Sequence, residues 1–192
     1  NKCYFNKRPT LIFTNSILDE NKIEQEYNFR KQNGFNSKII TPNNNPFSFE
    51  LKKGLYCEDR GADLDPYLFT KQLIENAKNQ KRIYENTEIT KLVNTKDGVI
   101  AISHYGQQIK CKKVVLATGF NWELINKHNL CERTITYSIV TKPIKNFSWY
   151  NNTLLQDLNS PYHYLRLLPD NRIIIGGEDT KFNEKGIKEK VT

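Results

Sequence analysis

Methionine is absent from the 192 residues, and with it the residue that starts translation. An interior portion of a longer protein is therefore the expectation. Also absent is any pair of cysteines at C-x-x-C spacing. Cys3, Cys57, Cys111 and Cys131 stand far apart, which argues against a zinc knuckle and against a dithiol redox motif. Isolated thiols of this kind are expected to be reduced. No apolar run approaches the roughly 20 residues that a membrane span needs, and the polar first residues do not read as a secretory leader. These absences point to a cytoplasmic protein with no membrane partner. His104, His128 and His163 share no ligand spacing with one another or with the cysteines, so no metal site is expected.

What is present is the composition of a folded globular chain. Charged residues make up 26% and apolar residues 38%, with 10 Tyr and 10 Phe available for a core. Disordered chains are poor in aromatic and branched apolar residues. The length suits one ordinary domain or parts of two. A net charge of +8 raises the question of nucleic acid, yet the lysines are scattered rather than gathered on one helix face. A solvated basic surface is the reading, with no nucleic-acid partner.

Local chemistry marks out the elements. Thr10 to Asn15 (TLIFTN) reads as a strand. A helix follows, with Asp19 as its N-cap and Gly34 where a left-handed C-cap falls. Thr41 to Pro46 (TPNNNP) is a loop. Arg60 to Asp65 leads into a second helix, capped by Asp65 with Pro66 at its first position. Its Leu68, Leu73, Ile74 and Ala77 fall on one stripe, expected to pack on a sheet. Three strands are then expected, Glu88 to Val93, Val99 to Tyr105 and Lys113 to Ala117, the first two joined as a hairpin by Lys96-Asp97-Gly98. The apolar run of the third suits a strand covered on both faces. A short helix around Trp122 to Lys127 precedes a β-branched strand, Thr134 to Pro143. Tyr162 to Leu168 and Arg172 to Ile175 flank a turn at Pro169-Asp170-Asn171, where Asp170 favours the turn and Gly176-Gly177 a backbone bend.

The succession of these pieces carries more information than any one of them. Gly61-Ala-Asp-Leu-Asp-Pro66, Ile83-Tyr-Glu-Asn-Thr-Glu-Ile89, the hairpin at Gly98 and Lys112-Lys-Val-Val-Leu-Ala-Thr-Gly-Phe120 follow in order. Together they resemble the family of FAD-dependent oxidoreductases that includes glycine, sarcosine and D-amino-acid oxidases. Tyr162 to Gly177 (YHYLRLLPDNRIIIGG) is similar to the substrate-domain hairpin of the branch that oxidises amines such as glutamylputrescine. The likeness runs from about Pro9 to Asp179.

The resemblance implies an α+β fold. A mixed, largely antiparallel sheet forms the substrate domain, from residues 1–60 and 126–192. Residues 61–125 form part of an FAD/NAD(P)-binding-like domain that lacks the first βαβ unit. It implies FAD as the cofactor of the parent protein and a small amine or amino acid as substrate, oxidised by hydride transfer to the flavin. The family's phosphate grip is Gly-x-Gly-x-x-Gly at a strand-to-helix turn, where only glycine lets backbone amides approach a pyrophosphate. None of the nine glycines here stands in a Gly-x-Gly arrangement. The isolated chain is thus expected to hold no FAD and to be inactive. The alternative is a noncatalytic or regulatory subunit whose partner chain brings the flavin site.

On the strand from Tyr162 to Leu168, the residues Tyr162, Tyr164 and Arg166 share one face, and His163, Leu165 and Leu167 the other. The resemblance turns the first face toward the flavin. The tyrosines then line an apolar pocket, and Arg166 holds a substrate carboxylate by paired hydrogen bonds. The competing reading of Arg166 is a surface or salt-bridged arginine. The resemblance also carries Ile89, Thr118 and Gly119 onto positions that touch the adenine-ribose side of FAD through backbone groups. For Ile89 a plain core role is the alternative.

Overall fold

The computed structural model describes residues 3–78, 82–119 and 132–182. In chain order the elements are β1 (Asn6–Thr14), α1 (Glu20–Gln32), β2 (Ser37–Ile40), β3 (Lys53–Asp63), α2 (Pro66–Lys78), β4 (Ile89–Thr95), β5 (Gly98–Ser103) and β6 (Gln108–Cys111). After these come β7 (Thr134–Val140), β8 (Leu154–Asp157), β9 (His163–Leu167) and β10 (Ile173–Lys181). The chain divides into two compact units, Asn1–Leu73 with Arg133–Thr192, and Ile74–Glu132.

In the first unit, strands pair in the order β2-β3-β1-β8-β9-β10-β7. Among the described pairings only β1 with β8 is parallel. The expected mixed, largely antiparallel sheet is what forms, and with the helices it makes an α+β fold. Register sorts the two faces. Leu11 lies opposite both Tyr56 and Leu155, and these three join Ile40 and Leu51 in one buried cluster. Phe47, Phe49, Trp149 and Tyr150 close over it. Leu11 is 0% exposed and Tyr56 1%, and each such burial stabilises by about 1.5–3 kcal/mol.

The opposite face carries α1. Ile23 is buried beneath the helix, Lys53 of β3 reaches Glu20 and Glu24 at 3.0 and 2.6 Å, and Arg30 Nη1 donates to Cys57 Sγ at 3.1 Å. The helix ends as expected at Gly34, whose φ is +75°. Gly34 N–H donates to Lys31 O and Phe35 N–H to Arg30 O, the paired bonds of a Schellman turn. The start differs from expectation. Asp19 has helical φ and ψ and makes no capping bond. A cap residue needs extended backbone to aim its side chain at the free amides. Ser16 is extended and accepts from Leu18 N–H at 3.2 Å, capping a short 3-10 turn before α1, while Asp19 pairs with Lys22.

Asp65 does cap α2, accepting from Leu68 N–H at 2.9 Å. The stripe on α2 does not pack on a sheet among the described residues: Leu73 is 54% and Ile74 40% exposed. The residues before the helix are also not a mere lead-in. Lys53–Asp63 is an 11-residue strand. Its Leu55, Tyr56 and Cys57 are buried in succession because the core cluster covers one face and α1 the other. Alternation is lost where both faces are covered.

In the second unit β4 and β5 form the expected hairpin, Thr95 opposite Gly98, which has φ +147°. The third strand is β6, not Lys113 to Ala117. Gly106, at φ +81°, turns the chain back at once, with its N–H on Ser103 O at 2.8 Å, so Gln108–Cys111 takes the edge beside β5. Residues 113–117 form no strand, and Val115 is 90% exposed. A continuous apolar strand forms only between neighbours that supply both hydrogen bonds and cover. The helix expected around Trp122 to Lys127 lies outside the described residues.

Candidate functional site

Strand register puts Tyr164 and Arg166 on the α1 side of the large sheet. Tyr164 lies opposite Gln156, Gln156 opposite Ile12, and Ile12 opposite Leu55. Two residues along, Cys57 shares that face and receives the bond from Arg30 of α1. Between the second half of α1 and the sheet lies a cavity of about 550 Å³. Ile12, Leu154, Phe29 and Phe35 give it an apolar lining, with Tyr164 and Gln156 as polar wall.

The charges in this lining are uneven. Arg30, Arg60 and Arg166 face it against a single carboxylate, Glu26. Glu26 is already engaged, its Oε1 2.7 Å from Arg30 Nε. Arg60 stands 3.4 Å from Asp59, both about half exposed, and its guanidinium carbon lies 5.0 Å from the centre of the Phe35 ring. Arg166 is half-buried and has no hydrogen-bond or ion-pair partner among the described residues. Arg166 also lines a second cavity, about 430 Å³, beside Asp63, Asp65 and Leu168. There Asp63 is held by Arg8 at 3.1 Å, and Asp65 by the α2 amide.

Of the three residues expected on one face, Tyr164 and Arg166 line the cavity together. Tyr162 precedes β9, is 38% exposed and is absent from the lining, although its ring centre lies 6.3 Å from that of Tyr164. Ile89 opens β4, half-buried, opposite Ser103. Thr118 and Gly119 follow an exposed run, with Gly119 at φ +59°. These three belong to the second unit.

Three contributors were not singled out from sequence: Arg60, Phe29 and Phe35. Arg60 lies where the β1–β3 register slips, between the pairs Thr10–Cys57 and Arg8–Gly61. A bulge defeats any rule based on alternation. Phe29 and Arg30 sit together on α1, so spacing from Glu26, one turn back, was the available signal.

On the other face, His163 is gripped from both sides. Asp157 Oδ2 lies 2.8 Å from its Nδ1 and Glu178 Oε1 2.9 Å from its Nε2. Asp157 also accepts from the His163 and Asn159 backbone N–H groups, at 2.8 and 3.2 Å. Both ring nitrogens can donate only in the imidazolium form. The bond to Asp157, with that to Glu178 second, holds the His163 pKa above its ordinary value.

The fold is shared with solved oxidoreductases. L-proline dehydrogenase from P. horikoshii superposes with a TM-score of 0.72 at 16% identity, over 97% of this chain and 55% of that one. Glycine oxidase from Geobacillus kaustophilus gives 0.73 at 15% identity, over 95% and 50%. L-alpha-glycerophosphate oxidase from Mycoplasma pneumoniae, solved with FAD bound, gives 0.74 at 18% identity, over 96% and 52%. The chain spans about half the length of these structures. A search of curated proteins finds no match. The fold is thus one that these oxidoreductases share. More narrowly, residues 1–191 match the family described as FAD dependent oxidoreductase (DAO), and the chain belongs to it.

The family cofactor is FAD, and the residues present do not fit a full grip on it. Gly119 offers a left-handed turn, but no Gly-x-Gly turn exists anywhere in the sequence to cradle a pyrophosphate.

Proposed function

We propose that this chain is the substrate-side portion of an FAD-dependent oxidoreductase acting on an amine or amino acid, with Arg166 as the anchor for a substrate carboxylate. One observation carries the reading. Arg166 is a half-buried guanidinium without an acidic partner among the described residues, set beside Tyr164 on the wall of a cavity with an apolar lining. A cation kept from water without a counter-charge is costly unless a ligand supplies one. The planar fork of arginine suits a carboxylate, which it meets with two parallel bonds. Tyr164 supplies a flat wall with a hydroxyl beside it, and Ile12, Leu154 and Phe29 exclude water from the bound group.

In this reading residues 61–125 belong to the flavin-binding side and residues 1–60 and 126–192 to the substrate side. Ile89, Thr118 and Gly119 meet the adenine-ribose end of FAD in the parent protein, and Tyr162 extends the aromatic wall begun by Tyr164. The isolated chain is inactive, or works with a partner chain that brings the flavin site. No nucleic-acid or membrane partner takes part, and the address is cytoplasmic. Among the described residues no helix is long and apolar enough to cross a membrane.

Two preparations test the proposal. The purified chain is mixed with excess FAD and gel-filtered, and the complete reading frame that encodes it is expressed in parallel. Flavin absorbance should co-elute only with the longer product. Anaerobic addition of carboxylated amines should bleach that flavin, and ammonia or the shortened amine should appear. Bleaching by hydroxy acids or alcohols, with none by amines, would overturn the assignment.

A further inference from the structure

The cavity beside Arg166 holds more positive charge than one carboxylate can satisfy. Of its three guanidiniums only Arg30 is neutralised within the cavity, by Glu26 at 2.7 Å. Arg166 has no partner among the described residues. Among the described residues the acid paired with Arg60 is Asp59, at 3.4 Å, with side chains 48% and 55% exposed. Asp59 is not part of the cavity lining, and an ion pair so exposed holds its partners weakly. Arg60 is instead directed by Phe35, over whose ring its guanidinium lies at 5.0 Å.

Arg60 and Arg166 are well separated. Arg60 belongs to β3 and Arg166 to β9, and the sheet order places β1 and β8 between them. Three inter-strand steps amount to roughly 14 Å between their backbones. Between them Ile12 of β1 and Leu154, beside Gly61, supply an apolar stretch, flanked by Thr10 and Gln156. Gly61 contributes by what it lacks. A β-carbon there would press on Thr10 and on Leu154 Cδ1, which line the cavity. The volume, about 550 Å³, falls within the range of roughly 300–1,000 Å³ that holds drug-sized ligands. It far exceeds what a glycine-sized substrate fills.

We infer that the cavity takes an elongated amine with two anionic groups, one held by Arg166 and the other, across an apolar spacer, by Arg60. The inference rests on the proposed role of Arg166 and narrows the substrate class to dianions. Arg60 is then the residue that selects length and second charge. Arg166 selects for the first carboxylate alone. Charge complementarity of this kind discriminates partners more than it adds raw affinity.

Calorimetric titration of the purified chain tests it, with straight-chain dicarboxylates from glutarate to suberate and monocarboxylates of equal carbon number as probes. The longer dicarboxylates should bind about tenfold tighter than their monocarboxylate counterparts, the effect of one additional charge-assisted contact. R60Q should erase that advantage while weakening monocarboxylate binding far less than dicarboxylate binding, and R60K should restore part of it. R166Q should weaken both series. Equal affinity of the two series in the unaltered chain, with no response to R60Q, would overturn the dianion inference. A surviving effect of R166Q would leave the anchor standing. Absence of any binding sensitive to R166Q would sink the inference and the anchor together. Melting curves of R60Q, whose side chain is half exposed, report whether the fold is retained.

Discussion

The ring of Tyr164 lies across Gly176, its cross-strand partner on β10. A β-carbon at Gly176 would clash with the hydroxyl end of the ring, with Cζ and the hydroxyl oxygen of Tyr164 as its nearest neighbours. Gly176 is buried, and the ring that covers it is part of the cavity wall. The site is thus shaped in part by a missing side chain. G176A should force Tyr164 out of its position and destabilise by about 1–3 kcal/mol, the usual cost of overpacking. Urea unfolding measures the loss, and Y164A combined with G176A should recover much of the strain-related part. Equal stability of G176A and the unaltered chain would contradict the placement of the ring.

Arg166 gives the second prediction, because its effects on stability and on binding should separate. R166Q removes a half-buried cation that has no partner among the described residues, so unfolding free energy should hold or rise slightly rather than fall. Carboxylate affinity should fall by roughly tenfold to a hundredfold, the worth of a hydrogen bond to a charged group. R166K keeps the charge but loses the paired geometry and should recover only part. Titration with a monocarboxylate, beside denaturation of the same samples, checks both halves. A large stability loss in R166Q would mean that the guanidinium is structural.

Much of this molecule is legible where local chemistry decides. Gly34 announces its left-handed turn, Asp65-Pro66 its helix start, and Lys96-Asp97-Gly98 its hairpin. The two-residue period of β9 alone suffices to set Tyr164 and Arg166 on one side and Leu165 on the other. Legibility fails where the surroundings decide. β3 is apolar in succession because α1 and the core sandwich it, and Val114 to Leu116 is equally apolar yet remains a partly or largely exposed run. The two stretches read alike, and only their neighbours differ. Arg60 is the instructive omission at the site, since the register slip that brings it to the cavity leaves no periodic trace. The basic cavity itself assembles residues from β1, β3, β8, β9 and α1, a juxtaposition that no local pattern encodes.

The cap of α2 is a third test. Asp65 Oδ1 satisfies Leu68 N–H at 2.9 Å, one of four amides that a helix start leaves open. D65A should cost about 1 kcal/mol, and D65N, which keeps an acceptor oxygen, clearly less. Because Asp65 also lines the smaller cavity beside Arg166, carboxylate titration of D65N separates the capping role from any electrostatic influence on that arginine. Hydrogen exchange at Leu68 should report the fraying directly. Unchanged protection in D65A would show that the cap contributes nothing.

His163 makes the chain's stability depend on pH in a stated direction. Its bonds to Asp157 and then Glu178 raise its pKa above the ordinary imidazole value, so the folded chain holds the proton more tightly than the unfolded chain. The resulting stabilisation is fully present below the ordinary histidine pKa and is lost as pH rises through the raised value. Asp157 is the stronger lever, since its side chain is 13% exposed against 64% for Glu178. Melting temperature should therefore fall as pH climbs across that window. H163Q should flatten the slope, lowering stability most at the acid end. E178Q should remove a smaller share than D157N, which also disturbs the backbone bonds from His163 and Asn159. Because Leu165, two residues along β9, packs against the core cluster while Tyr164 faces the cavity, loosening this clasp should also weaken carboxylate binding at alkaline pH. A slope of opposite sign, or one that H163Q leaves intact, would place the responsible proton elsewhere.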